Sequence, residues 1–171
     1  MSLRASESRR GVREVIGQRL NRLSEQCNRT LVTAAVIGRE FDFRLLSPLM
    51  DDLNETSLLG MVEEALDSHV IEELPESRER YQFSHALIQE TLLGEVSSSR
   101  RMRLYARIGE ALEEIYGANV EAHAVELAHH FAEAKSVLGT EKLVHYSLLA
   151  GGSRHWRPMP GKRRLHILKG A

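Results

Sequence analysis

One stretch breaks an otherwise helical pattern, and that break constrains the fold more than any other feature. Residues 70–84 read VIEELPESRERYQFS, two short apolar–polar segments around the turn PESRE with its Pro75. With that polar turn between them, Val70, Ile71, Leu74, Tyr81 and Phe83 predict a small two-stranded hairpin.

On both sides of this stretch the apolar residues recur at helical spacing. VREVIGQRLNRL (12–23) places Val12, Val15, Ile16, Leu20 and Leu23 on one face. Ser24 is a good cap for a second helix with Cys27, Leu31, Ala34 and Ala35 inward, ending at Gly38. FDFRLLSPLM (41–50) predicts a short third helix broken near Pro48. Asn54 caps ETSLLGMVEEALDSH, whose Leu58, Leu59, Val62, Ala65 and Leu66 share a face. After the hairpin come HALIQETLLGEV, then RRMRLYARIGEALEEIYG behind Ser97–Ser99 and closed by Gly117, then EAHAVELAHHFAEA and EKLVHYSLLA. The fold class is therefore mostly α (α+β). Helices followed by a β wing are the order of a winged-helix domain, and the helical pairs beyond it read as the opening of an antiparallel, tetratricopeptide-like array. The expected organisation is a flexible N-terminus over 1–11, a winged-helix domain over 12–96, a repeat-like segment over 97–151 and a basic tail over 152–171.

Charge is unevenly distributed. All 24 Asp and Glu precede residue 151, whereas GGSRHWRPMPGKRRLHILKGA (151–171) holds 6 of the 23 Lys and Arg. Cys27 is the only cysteine, which excludes an internal disulfide and points to a reducing, cytoplasmic setting. No apolar run reaches the roughly 20 residues of a membrane span.

The motifs exclude more chemistry than they offer. A phosphate-binding loop needs G-x-x-x-x-G-K-[ST]. The one Gly-Lys pair, Gly161-Lys162, is followed by Arg163, and Trp156 stands where the first glycine belongs. LLSPLMDD (45–52) imitates an apolar strand ending in acids, but Pro48 argues against a central strand. The helix before the wing would be the DNA reader of a winged-helix domain. Residues 51–69 there contain Asp51, Asp52, Glu55, Glu63, Glu64 and Asp67 and no Lys or Arg, a repulsive face for a polyanion. His123, Glu126 and His130 fall at i, i+3 and i+7 and could approach one ion, yet no second ligand motif accompanies them; no metal is assigned. Cys27 reads as a core residue rather than a nucleophile. Arg100, Arg101, Arg103 and Arg107 form a basic cluster that reads as a solvated face paired with Glu110, Glu113 and Glu114.

GVREVIGQRLNRLSEQCNRTLVTAAVIGREFDF, VIEELPESRERYQFSHALIQETL, RLYARIGEALEEIYG and HAVELAHHFAEA together resemble one family. They look like the segment just after the nucleotide-binding core in bacterial STAND-type signalling ATPases of the AAA class, as found in LuxR-type regulators and beside adenylate/guanylate cyclase domains. The resemblance covers about residues 11–151. It implies a non-catalytic regulatory segment that couples the nucleotide state of an ATPase core, itself missing from this chain, to an effector domain. ATP or ADP would be bound by the parent and no cofactor by this segment. The implied partners are that core, that effector and proteins recognised by the helical repeats, with neither nucleic acid nor membrane among them. Phe83-Ser84-His85-Ala86-Leu87 resembles the Met-His-Asp motif at the same place, whose histidine approaches the β-phosphate of ADP. By that likeness His85 is the candidate nucleotide-phosphate sensor; Phe83 and Ser84 replace the start of the motif and Ala86 replaces its aspartate. The plainer role for His85 is to cap the wing–helix junction. The alternatives are a DNA-binding winged-helix regulator served by the basic tail and a helical protein-interaction scaffold.

The family continues with another amphipathic helix where this chain turns basic and acquires Pro158 and Pro160. Back-translated and read from each codon's third base, residues 153–169 spell QALAAYAWEEAATYFER with permitted wobble choices, an alanine-rich repeat helix. Residues 152–171 are thus expected to be frameshifted text, poorly ordered or loosely packed.

Overall fold

The computed structural model describes residues 14–75 and 77–152. The expectations of a flexible 1–11 segment and of an out-of-frame tail beyond residue 152 lie outside the described residues. The chain is mostly helical with one small three-stranded antiparallel sheet.

Helix α1 covers residues 14–20 and buries Ile16 and Leu20, while Val15 stays 52% exposed. Helix α2 (Glu25–Ile37) begins at Ser24, whose Oγ accepts from the Cys27 N–H. Its apolar face is buried as the spacing predicts, and Thr30 and Thr33 join it by donating their hydroxyls to the carbonyls of Gln26 and Arg29, four residues back. The helix stops at Gly38, which is extended rather than left-handed.

The next segment departs from the sequence reading. Glu40–Asp42 is a strand, β1, and only Phe43–Leu46 is α-helical (α3), followed by a 3-10 turn at Ser47–Leu49 that holds Pro48 in its first turn. Three residues are too few to show a period. The strand exists because Phe41 finds Tyr81 and Phe83 across the sheet, at ring separations of 5.8 and 5.7 Å. Asp42 then caps α3 by accepting from the Arg44 N–H at 2.8 Å.

Helix α4 (Glu55–Asp67) starts at Asn54, whose Oδ1 accepts from the Ser57 N–H. Leu58, Val62 and Ala65 are buried, but Leu59, expected on the same face, is 44% exposed. The hairpin forms between β2 (Ile71–Glu73) and β3 (Arg80–Phe83), with Ile71 opposite Phe83. The sheet is larger than the two-stranded hairpin expected, since β1 pairs with the far side of β3 in the register Phe41–Tyr81 and the sheet order is β1-β3-β2.

Helices α5 (Ala86–Gly94) and α6 (Ser98–Tyr116) follow, and α6 ends at Gly117 with a left-handed φ of 48°. The helix expected from residue 121 starts as a 3-10 stretch, Gly117–His123, and becomes α-helical only as α7 (Ala124–Glu133). A short α8 (Lys135–Leu138) and α9 (Glu141–Gly152) complete the described chain. Helix α7 packs against both α6 and α9, and α6 also packs on α2. The buried cluster is consequently continuous from Leu31 and Leu58 through Phe83 and Leu92 to Ile108, Leu127 and Phe131.

Candidate functional site at the strand–helix junction

Strand β3 ends at the fully buried Phe83, and α5 sinks Ile88 and Leu92 into the core. The two residues between them therefore lie at the surface between fixed ends. Ser84 ties this junction to the turn that leaves α4. Its N–H donates to the Val70 carbonyl at 3.1 Å, and its Oγ donates to the His69 carbonyl at 2.8 Å. His69 makes that turn in the left-handed region, φ 54°.

His85 is the N-cap of α5, extended at φ −144° and ψ 137°. Its Nδ1 accepts from the Leu87 N–H at 3.1 Å, satisfying one of the donors a helix start leaves unpaired. An amide can only donate, so this Nδ1 carries no proton and Nε2 does. The opposite holds for His69, whose Nδ1 stands 3.0 Å from the Asp67 carbonyl and must donate to it. Two exposed imidazoles in opposite tautomers thus flank one end of the sheet, joined through Ser84. The capping role that the sequence allowed for His85 is what its geometry shows. Chemically, His85 offers an N–H donor beside a helix N-terminus, where an anion is favoured. Sequence reasoning reached His85 but passed over His69 and Ser84; the polar run Asp67-Ser68-His69 before an apolar strand was the available turn signal.

The other candidates are placed differently. His123 stacks on Tyr116 with ring centroids 3.6 Å apart, and its Nδ1 lies 4.0 Å from Glu126, which accepts from the Tyr116 hydroxyl at 2.8 Å. His130 is fully buried instead, with its ring 5.7 Å from that of Tyr105. Among the described residues no three His, Cys, Asp or Glu are arranged to hold a metal ion. Cys27 is fully buried and donates to the Met61 carbonyl; burial first, and Glu64 second, push its thiol up to about 12.

The arginine cluster does not pair as its sequence neighbours suggest. Arg107 reaches Asp51 at 2.5 Å, while Glu113 is taken by Lys142 at 2.5 Å and by the Tyr146 hydroxyl at 2.7 Å. Tertiary packing brings α6 to the residue 48–52 loop, which spacing along one helix cannot reveal. The acids before the hairpin are likewise partly engaged within the chain: Asp52 with Arg29 at 2.8 Å, and Glu64 with the Ser24 N–H and Oγ at 2.6 and 2.7 Å. Among the described residues no helix is long and apolar enough to cross a membrane. No protein-family model matches the chain, and no characterised protein and no solved structure shows significant similarity to it.

Proposed function

We propose that this chain is a non-catalytic regulatory module of the kind that follows the nucleotide-binding core of STAND-type signalling ATPases, a winged-helix domain over 12–96 leading into the first helices of a tetratricopeptide-like array over 97–151. The observation that carries this reading is the order helix, strand, helix, helix, hairpin from α2 to β3, with β1 added to the second strand of the hairpin. That order supports the winged-helix reading. The packing of α7 between α6 and α9 suits a stacked helical array, in which each helix covers its neighbour's apolar face.

In this reading the module relays the nucleotide state of an ATPase core to an effector. His85 is its phosphate-sensing residue, with the Nε2 proton as donor because Nδ1 is occupied by the Leu87 N–H. The fit is to a phosphate oxygen only, so the remaining nucleotide contacts belong to the core. Three of the six acids around α4 hold the module's own residues, a use that favours protein contact over DNA binding for this segment.

The test has two parts. The gene should encode a phosphate-loop ATPase core contiguous with this chain; a complete gene without one would sink the reading. In that full-length protein His85→Asn keeps a capping oxygen for the Leu87 N–H but removes the imidazole. ADP should then dissociate faster while thermal stability holds. Unchanged ADP retention would leave His85 a cap and nothing more.

A further inference from the structure

Away from the His85 junction, a cleft of about 380 Å³ opens between α2, residues 49–52 and the first turns of α6. Its floor is apolar, made by Leu49, Met50 and Leu104, each less than a tenth exposed. Its rim is charged. Arg29 and Arg107 are held there by Asp52 and Asp51, and Arg107 also donates to the Pro48 carbonyl.

Arg100 and Arg103 differ. They line the same cleft three residues apart on one face of α6, and among the described residues neither makes an ion pair. This is notable in a chain whose 24 acids all precede residue 151. Two guanidiniums without carboxylates repel one another, and a dianion between them removes that cost. The planar guanidinium fork suits a phosphate in particular, which it grips through two parallel N–H bonds. The residue 49–52 side of the cleft has the complementary chemistry. A carboxylate has about four acceptor sites, and Asp51 and Asp52 each give one oxygen to one arginine. Their spare lone pairs repel a second phosphate and attract hydroxyl donors. The volume is at the small end of ligand pockets, roughly 300–1,000 Å³, and matches a small molecule in size.

We propose that this cleft binds a small phosphate monoester bearing hydroxyl donors, of the sugar-phosphate class. Arg100 and Arg103 grip the phosphate, Asp51 and Asp52 accept from the hydroxyls, and the C–H face of the ligand rests on Leu49 and Leu104. The site is separate from His85 and does not depend on the regulatory reading above.

The experiment titrates the nitrogen-15-labelled chain with glucose 6-phosphate, glucose and inorganic phosphate at constant ionic strength, following the arginine Nε–H signals. Glucose 6-phosphate should give saturable shifts at Arg100 and Arg103 and bind more tightly than either fragment. Arg100→Gln with Arg103→Gln should weaken it by about tenfold or more, the scale of a lost charge-assisted contact. Arg101→Gln, which is not among the residues lining the cleft, should leave binding unchanged. If the double variant melts early, Arg103→Lys supplies the second measurement, since it keeps the charge, loses the fork and should still weaken binding. Absence of saturable shifts with glucose 6-phosphate, equal binding of glucose, or equal weakening by Arg101→Gln would overturn the site. Inorganic phosphate binding as tightly as glucose 6-phosphate would overturn the role of Asp51 and Asp52.

Discussion

Gly109→Ala and Gly60→Ala make the same chemical change in the middle of a helix, and they should move stability in opposite directions. At Gly60 in α4 a methyl group meets nothing within 4 Å. The substitution therefore keeps only the helix-propensity gain, about 0.8–1.0 kcal/mol. At Gly109 in α6 the added carbon would stand 2.7 Å from Phe131 Cε1, 2.9 Å from Cζ and 3.2 Å from Cδ1. The ring has little room to retreat. Phe131 is 1% exposed, stacks on Tyr146 at 5.5 Å and 12°, and carries Lys142 Nζ 5.0 Å above its face. Overpacking a rigid site costs about 1–3 kcal/mol, and three short contacts with one confined ring argue for the upper half of that range. After subtracting the propensity gain, Gly109→Ala should destabilise by about 1–2 kcal/mol. Urea unfolding followed by circular dichroism measures both variants, and the melting temperature should fall by roughly 2–4 °C per kcal/mol in a chain of this size. Phe131→Leu in the Gly109→Ala background should recover part of the loss, because it removes the atoms the methyl group strikes. If Gly109→Ala stabilises as much as Gly60→Ala, then α6 and α7 are not in close contact at this glycine and the reasoning fails.

Other substitutions test other joints. Ser24→Ala removes the cap of α2 and the hydroxyl partner of Glu64, and should cost about 1–2 kcal/mol in urea unfolding, with Glu64→Gln costing less. Tyr146→Phe loses the hydroxyl bond to Glu113 and should cost about 1 kcal/mol, while amide exchange in α9 rises more than in α2. An unchanged α9 would mean that its packing on α7 and the Lys142–Glu113 pair hold it without the hydroxyl bond. Cys27 and Tyr146 both titrate near 12 in the fold, raised from 9.0 and 10.0 chiefly by burial. A raised folded value favours the protonated, folded form, so their contribution is complete below pH 9 and is lost as pH rises from about 9 to 12. Alkaline unfolding should begin in that window, and Cys27→Ala should shift its onset upward; an onset unaffected by that change would remove the thiol from the explanation. In the native state at pH 8 the thiol should resist a disulfide reagent and react only on unfolding.

Much of the fold was legible because it rests on local signals. Ser24, Asn54 and Ser97 each precede an apolar periodic run, and each caps the helix its side chain predicts. The apolar pair Val70-Ile71 and the alternating Tyr81 and Phe83, on either side of a polar turn, mark a hairpin that forms where it was read. His85 was legible as a junction residue for the same reason, since a polar residue between a strand and a helix period has few other places to go.

What failed to show in the sequence depends on partners far along the chain. Strand β1 exists only because β3, some 40 residues later, offers it an edge; FDF alone continues into a helix as readily as it pairs. Leu59 lies on the right stripe of α4 yet faces solvent, because the stripe is wider than the surface that covers it. Arg107 was matched to acids on its own helix and takes Asp51 instead, a choice made by how α6 docks. The sequence by itself determined the caps, the helical periods, the hairpin and the burial of Cys27, since these follow from neighbours within a few residues. The third strand and the cleft that gathers four arginines were decided only by tertiary structure, because each requires groups tens of residues apart to be held within a few ångströms.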